Sequence, residues 1–358
     1  MDYNTYDKDQ EVVDTEQNKF CPSCGGTLTF SPETQSLECG ACGNHINIEE
    51  NYKPIHEYDF SKAEEFEYTD WGASKKVIQC KTCGGETIVD SNENTVNCAF
   101  CGAEHLVEVD DNLGMKPESL IPFKFDDSEA KNKFKQWINK RWLSPGDLKD
   151  SYNSNKLTGV YMPFWTFDSL TQTHYSVRIG DRHYRTTADG KRESYYKYRS
   201  KSGRHQKFFD DVLVSGSKDE NRKLLRKIEP FYTKELVAYQ PSYLAGFQAE
   251  RYVVGPKDAF EEAKGKMKKE IEKEIKSRLG GDTYENFRTS IDYEDISFKH
   301  ILLPLYISSY KYKDKTYNFL INGQTGEVQG QAPLSPLKIA IIAVIAIAII
   351  ALIFLIKS

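Results

Sequence analysis

The eight cysteines of this 358-residue chain restrict its possible folds more than any other feature. They form four Cys-x2-Cys pairs, arranged as two sets with the same Cys-x2-Cys-x14-Cys-x2-Cys spacing. Each cysteine of the second set lies 59 positions after its counterpart in the first, so the whole unit is repeated. The two sets are Cys21, Cys24, Cys39 and Cys42, and Cys80, Cys83, Cys98 and Cys101.

This spacing predicts a zinc ribbon for each set. A Cys-x2-Cys pair on a tight turn aims two thiolates at one point, and a hairpin between the pairs brings the second turn opposite. Four thiolates leave no open coordination position, so we expect two structural Zn²⁺ ions. An iron site is one alternative, and disulfides or free buried thiols are another. His45 and His105 are expected at the surface because each site is already full.

The C-terminal region predicts a transmembrane helix. Residues 339–356 are apolar throughout, a length that crosses the hydrocarbon of a bilayer at ~1.5 Å per residue. A buried core helix is the alternative, but this segment is apolar on every face. We therefore expect a single-pass protein of the cell membrane that contacts membrane lipid through this helix. Reduced cysteines and a polar N-terminus without a secretory signal predict that the bulk of the chain is cytosolic.

The remaining sequence predicts an α+β multidomain protein. Apolar residues at helical spacing predict a helix that Asp126 or Asp127 caps and that runs to about Arg141. A longer helix is expected from Pro256 to about Leu279. Residues 159–167 and 300–310 have the composition of strands. The predicted units are a disordered acidic tail (1–19), zinc ribbon 1 (20–50), an acidic linker (51–77), zinc ribbon 2 (78–110), an α+β domain (119–332) and the transmembrane helix (337–356).

Charge is distributed unevenly along the chain. Residues 1–120 hold 24 acidic and 8 basic residues, a net charge of −16, whereas the remainder carries +11. Ribbons that bind phosphate should be basic, so this acidic segment argues against nucleic acid as its partner. Residues 178–207 hold ten Lys or Arg and three acids, interleaved with tyrosines. This segment is a candidate for anionic headgroups or nucleic acid, or a solvated hairpin without a ligand.

No catalytic motif is found. The sequence lacks a Gly-x4-Gly-Lys-Ser/Thr loop, a Gly-x-Ser-x-Gly elbow and a His-Glu-x2-His helix. Asp210 and Asp211, and likewise Glu261 and Glu262, are adjacent carboxylates that are expected to be solvated. We therefore expect no enzymatic activity and no small-molecule substrate.

The chain resembles a bacterial family of zinc-ribbon membrane proteins whose members are often labelled primosomal helicase-like. The ribbons are similar to the transcription-factor-IIB type. The larger domain contributes Ile121-Pro-Phe-Lys-Phe, the helix that bears Trp137, Tyr161-Met-Pro-Phe-Trp-Thr-Phe and Tyr243-Leu-Ala-Gly-Phe-Gln-Ala-Glu-Arg-Tyr252. The helicase label has no support here, since no phosphate-binding loop exists.

The resemblance implies a function and partners. Some members of this family act in a bacterial envelope-stress module with a second membrane protein, an SPFH-domain (flotillin-like) protein and phage-shock protein A. The resemblance therefore implies a non-enzymatic scaffold that recruits these proteins to the membrane. We expect the acidic ribbons to be its docking modules, reaching out on flexible linkers. A membrane-tethered zinc-ribbon regulator that binds nucleic acid is the alternative function.

Overall fold

The structure is a computed structural model of the chain. It describes residues 20–48, 54–64, 75–82, 84–90, 98, 103–110, 114–146, 148, 157–217, 225–312 and 315–357. The predicted acidic tail (1–19) lies outside these residues.

The described residues form a mixed α+β structure of sixteen strands and three α-helices. The strands are β1 (Leu28–Ser31), β2 (Ser36–Cys39), β3 (His45–Asn47), β4 (Tyr58–Asp59), β5 (Lys75–Cys80), β6 (Glu86–Asp90), β7 (Leu106–Asp110), β8 (Ser119–Leu120), β9 (Thr158–Thr186), β10 (Arg192–Phe209), β11 (Val214–Ser215), β12 (Val237–Ala238), β13 (Gln248–Glu250), β14 (Thr283–Tyr312), β15 (Lys315–Asn322) and β16 (Val328–Gly330). The helices are α1 (Asp127–Asn139), α2 (Pro256–Leu279) and α3 (Pro336–Lys357).

Two sheets organise these strands. Strands β1, β2 and β3 form a small antiparallel sheet around the first cysteine set. The other thirteen strands form one large sheet with the order β12-β8-β14-β9-β13-β6-β5-β7 along its main path. Strands β4 and β15 also pair with β14, β10 and β11 pair with β9, and β16 pairs with β15.

The long antiparallel pair of β9 and β14 is the backbone of the large sheet. Strand β9 has 29 residues and β14 has 30, and they pair from Thr158 to Gly180. The predicted strand 159–167 is confirmed as the apolar first part of β9. The strand continues because Ser169, Thr171 and Thr173 alternate inward and are buried. The Ser169 hydroxyl donates to the Glu294 carbonyl, which satisfies one of these buried polar groups.

Both predicted helices are confirmed, and each buries one face. Helix α1 begins where the Asp126 carboxylate accepts a hydrogen bond from the Glu129 N–H at 2.8 Å, which is an N-cap. Helix α2 begins with proline at its first turn and ends at Gly280, whose φ of 65° interrupts the helical backbone. Helix α2 packs on β9, β10, β11 and β14 through Ala259, Phe260, Ala263, Met267, Ile271 and Ile275.

The first cysteine unit is fixed to the larger domain, contrary to the expected flexible linkage. Phe30 is 3% exposed, and its ring lies 5.3 Å from that of Tyr243 in an edge-to-face contact. The Phe30 N–H donates to the Ala245 carbonyl. A Cβ on Gly246 would lie 3.2 Å from the Thr29 Cβ, so glycine permits this close approach. The ribbon and the α+β domain therefore share one hydrophobic core.

The second cysteine unit and the preceding segment also join the larger sheet. Strand β6 pairs with β13, where Ile88 lies opposite Ala249. Strand β13 in turn pairs with β9 in parallel. Strand β4, from the segment predicted as an acidic linker, pairs with β14 and places Tyr58 opposite Phe298. The described parts of these segments are therefore held by backbone hydrogen bonds.

Candidate metal centre and membrane anchor

The four cysteines of the first set converge at one end of the β1–β3 sheet. The Cys21 and Cys42 Sγ atoms lie 3.7 Å apart, and those of Cys24 and Cys39 lie 3.5 Å apart. All four sulfur atoms lie within 4.8 Å of one another. A tetrahedron with Zn–S bonds of about 2.3 Å has sulfur-to-sulfur edges of about 3.8 Å. The sulfur positions therefore fit a Zn²⁺ ion.

Backbone turns orient these sulfur atoms as the sequence predicts. Gly25 and Gly43 adopt φ values of 72° and 71°, which favour glycine, and their N–H groups donate to the Cys21 and Cys39 carbonyls. Each pair is thereby closed into a tight turn. The Gly26 N–H lies 3.4 Å from the Cys24 Sγ and donates to it. Such hydrogen bonds stabilise thiolates around a metal.

The thiols in this unit are free, and the pKa values of two of them, Cys21 and Cys39, are lowered. The six cysteines that the structure describes form no disulfides, which disfavours the disulfide alternative for Cys21, Cys24, Cys39 and Cys42. Burial opposes ionisation of Cys21, but hydrogen bonds from the Ser23 and Cys24 N–H groups outweigh it and lower its pKa to about 6. A Zn²⁺ ion would bind these sulfurs as thiolates.

The second set repeats the backbone arrangement of the first at the residues that can be compared. The Cys80 N–H donates to the Gly85 carbonyl at 2.9 Å, as Cys21 does to Gly26 at 2.7 Å. Cys80 and Cys98 are buried. The other two predicted ligands, Cys83 and Cys101, lie outside the described residues. The structure therefore gives one clear tetracysteine site, and the second zinc ion stays a prediction.

Helix α3 has the length and composition of a membrane span. Its residues from Pro336 to Ile356 are long and apolar enough to cross a bilayer, and none of that stretch is buried in the protein. The segment that precedes α3 packs on the domain, since Pro333 and Ser335 are buried. The Ser335 N–H donates to the Leu143 carbonyl. The Lys338 ammonium donates to the Trp142 and Ser144 carbonyls, so the start of α3 is attached to the domain.

Comparison with known proteins identifies a relative along almost the whole length of the chain. The Bacillus subtilis (strain 168) protein described as "uncharacterized protein YdjG" is 31% identical over 328 residues, which cover 89% of this chain and 91% of that protein. This chain belongs to the YdjG family. No protein-family model matches the chain, and no solved structure matches it.

This member of the YdjG family also contains a charged cluster that the sequence did not predict. The Lys299 side chain is 7% exposed, and its ammonium lies 2.7 Å from carboxylate oxygens of both Glu57 and Asp211. The Asp211 N–H donates to the Asp168 carboxylate at 2.7 Å. Asp211 was expected to be solvated, but its φ of 52° turns the chain into this cluster. Glu57 lies in the acidic linker, far away in sequence, so no local pattern indicates the contact.

The cluster has more carboxylates than cations, which affects protonation. Burial, together with the neighbouring Glu57 carboxylate, raises the pKa of Asp168 to about 7. Burial also opposes ionisation of Glu57, but contact with Lys299 outweighs it and lowers the Glu57 pKa. Although the three carboxylates are close enough to bind a metal ion, Lys299 already supplies the cation. A proton on Asp168 therefore relieves the remaining repulsion near neutral pH.

We expect titration of the Asp168 carboxyl group to lower the free energy of unfolding as the pH rises. Because its pKa is raised from 3.8 to about 7, the folded state binds a proton that the unfolded state releases between these values. The contribution is fully present below pH 3.8 and is lost as the pH rises through about 7. Asp168→Asn should therefore flatten the decline of the melting temperature between about pH 5 and 8, followed by tryptophan fluorescence in detergent. Asp210→Asn, at the exposed neighbour of Asp211, is the control. An unchanged slope in Asp168→Asn would contradict this account.

Proposed function

We propose that this protein is a non-enzymatic adaptor anchored in a bacterial membrane, with its bulk in the cytosol. Helix α3 supplies the anchor. The partners are cytosolic envelope-stress proteins of the SPFH and phage-shock protein A types, together with a second membrane protein, as the family resemblance implies. The zinc ribbons are the docking modules, and the metal in them is structural.

One observation supports this proposal more than any other. The first ribbon is attached to the domain by its buried side, whereas its metal-binding end faces away and is exposed. The exposed residues of the two turns are Pro22, Ser23, Cys24, Gly25, Gly40, Ala41, Cys42 and Gly43. A ribbon that is held rigidly and exposes its turns is suited to protein docking, because little conformational entropy is lost on binding.

Charge favours protein over nucleic acid at this surface. The segment that carries the ribbons has a net charge of −16. Its association with a polyphosphate would begin with repulsion rather than with counterion release. A partner with a basic or apolar groove fits the ribbons better.

The test uses the full chain, because strands β5 and β6 are part of the large sheet and an isolated N-terminal fragment would lose their neighbours. Tagged protein solubilised from membranes should retain SPFH-type and phage-shock-type proteins. Ser23→Arg with Ala41→Arg should abolish their retention, because both substitutions lie on the exposed turns. Zinc content confirms that this variant keeps its metal site.

The matched control changes a distant surface. Lys268→Glu, Lys269→Glu and Lys273→Glu lie on the exposed face of α2 and should leave retention unchanged. Submicromolar affinity for duplex or single-stranded DNA, with no protein retained, would replace the adaptor with a membrane-tethered regulator.

A further inference from the structure

Beyond Asp168 the large sheet narrows to three strands, β10, β9 and the first part of β14, which we call the arm. Its two outer edges differ. The β14 edge is interrupted by register shifts between Glu285 and Arg288 and between Glu294 and Ser297. The β10 edge is regular, because all 18 residues of β10 pair with β9 without a shift. No strand among the described residues pairs with the other side of β10.

A regular edge presents a row of backbone groups that can bind another strand. Bulges protect an edge from such pairing, and β10 has none. At the tip of the hairpin, the Thr187 N–H donates to the Lys191 carbonyl. The odd-numbered residue Lys191 thus directs its carbonyl toward β9. Because the direction of the backbone groups alternates along an antiparallel strand, the even-numbered residues of β10, such as Ser200 and Ser202, direct their N–H and C=O groups outward.

Side-chain contacts hold the arm in its extended form. Arg and Tyr side chains of β9 and β10 pair across the two strands, with each guanidinium within 6 Å of a ring centre. The pairs are Arg178–Tyr198 at 4.9 Å, Arg182–Tyr196 at 5.4 Å, Arg185–Tyr195 at 5.8 Å and Arg192–Tyr184 at 4.2 Å. These contacts join the two strands before a partner arrives, and such preorganisation lowers the entropic cost of binding.

The charge of β10 indicates the chemistry of that partner. The strand contains six Lys or Arg residues and one acid, Glu193. Lys197, Lys201 and Arg204 are exposed and form no ion pair with any other described residue. A second copy of this chain would place basic residues opposite basic residues, which is destabilising across strands. An acidic strand would be attracted.

The anchoring bilayer fits this position less well. Strand β16, which precedes α3, pairs with β15, and β15 pairs with the part of β14 that lies opposite Gly159 of β9. The basic tip of the arm is at the other end of β9, at Thr186. At about 3.3 Å per residue, these ends of β9 are separated by up to about 90 Å. The arm therefore extends away from the point where α3 leaves the domain.

We propose that the outer edge of β10 is a strand-addition site for an extended acidic segment of another protein. Main-chain hydrogen bonds would provide affinity, and the basic side chains that flank the edge would select acidic sequences. The inference builds on the proposed adaptor function and assigns it a second docking surface, distinct from the ribbons.

The test measures binding of a defined peptide to the full chain in detergent micelles. The probe is a fluorescein-labelled ten-residue peptide of alternating Glu and Val. A Glu-Pro repeat of equal charge is the control peptide, because proline cannot donate strand hydrogen bonds. We expect fluorescence anisotropy to show binding of the Glu-Val peptide at least about tenfold tighter than binding of the Glu-Pro repeat.

Variants of β10 distinguish peptide binding through the backbone of the edge from nonspecific attraction by positive charge. Ser202→Pro removes an outward N–H and should weaken Glu-Val binding about tenfold or more, whereas Ser202→Ala should not. Lys197→Glu, Lys201→Glu and Arg204→Glu together should also weaken it. The same charge change at Lys268, Lys269 and Lys273 on α2 should have little effect. Circular dichroism confirms that each variant is folded.

Other outcomes would overturn the proposal. Equal affinity for the two peptides would show attraction by charge alone. Anionic vesicles or oligothymidine that bind through the basic residues of β10, with no preference for the Glu-Val peptide, would assign the arm to lipid or nucleic acid. This titration needs only the purified chain. Failure of the pull-down would therefore reject the adaptor while leaving the edge site standing, and failure of the titration would do the reverse.

Discussion

Replacing both Cys21 and Cys24 with serine is expected to remove one zinc ion per chain and to destabilise the α+β domain as well as the ribbon. The first effect follows from the loss of two of four ligands. Metal binding to an isolated zinc-finger peptide provides on the order of 10 kcal/mol or more of folding free energy. Metal analysis by mass spectrometry should show the loss directly.

The second effect follows from the shared core. Leu28, Phe30 and Leu37 of the ribbon are at most 3% exposed and belong to the same cluster as Phe123 and Tyr161 of the larger domain. Unfolding of the ribbon would expose this face of the domain to water. A ribbon on a flexible linker would instead unfold alone and leave the melting temperature of the domain unchanged.

Two further variants separate metal loss from packing loss. Phe30→Ala should keep the zinc but cost about 3–5 kcal/mol of stability, the usual range for a buried phenylalanine. His45→Ala, at an exposed residue beside the site, should change neither zinc content nor melting temperature. Full zinc content in the double cysteine variant would refute the proposed site.

Truncation after Lys338 is expected to move the protein from the membrane fraction to the soluble fraction. Helix α3 is the membrane-spanning candidate among the described residues, and a transmembrane helix holds a chain almost irreversibly. The truncation keeps Lys338, whose ammonium donates to the Trp142 and Ser144 carbonyls. The domain should therefore remain folded, with its zinc content unchanged.

A matched control replaces residues 339–356 with an unrelated Leu-Ala helix of equal length. This variant should remain in the membrane pellet after a high-salt wash, because length and hydrophobicity determine insertion. Ultracentrifugation followed by immunoblotting distinguishes the membrane-bound unmodified chain and Leu-Ala variant from the soluble truncated protein. A truncated protein that still sediments after the high-salt wash would reveal a second means of attachment.

Helices α1 and α2 were predictable because their signals are local. Helix α1 has an aspartate cap and an apolar stripe at helical spacing within one segment. Helix α2 has an N-terminal proline, a similar stripe and a terminal glycine. The full length of β9 was not predictable, since Ser169, Thr171 and Thr173 do not show the apolar alternation of a half-buried strand. Their burial is stabilised by partners from distant strands, such as the Lys207 carbonyl that accepts from Thr171.

The sequence by itself determined the cysteine spacing that allows a metal site, the apolar span and the two long helices. Each depends on residues close together in the chain. The tertiary structure alone decided that Phe30 anchors the first ribbon, that Glu57 and Lys299 meet, and that β10 is left at an edge. A hydrophobic or charged pattern specifies which residues need a partner. Which partner it contacts depends on packing and strand pairing between segments that are far apart in the chain. A local sequence pattern does not indicate these distant contacts.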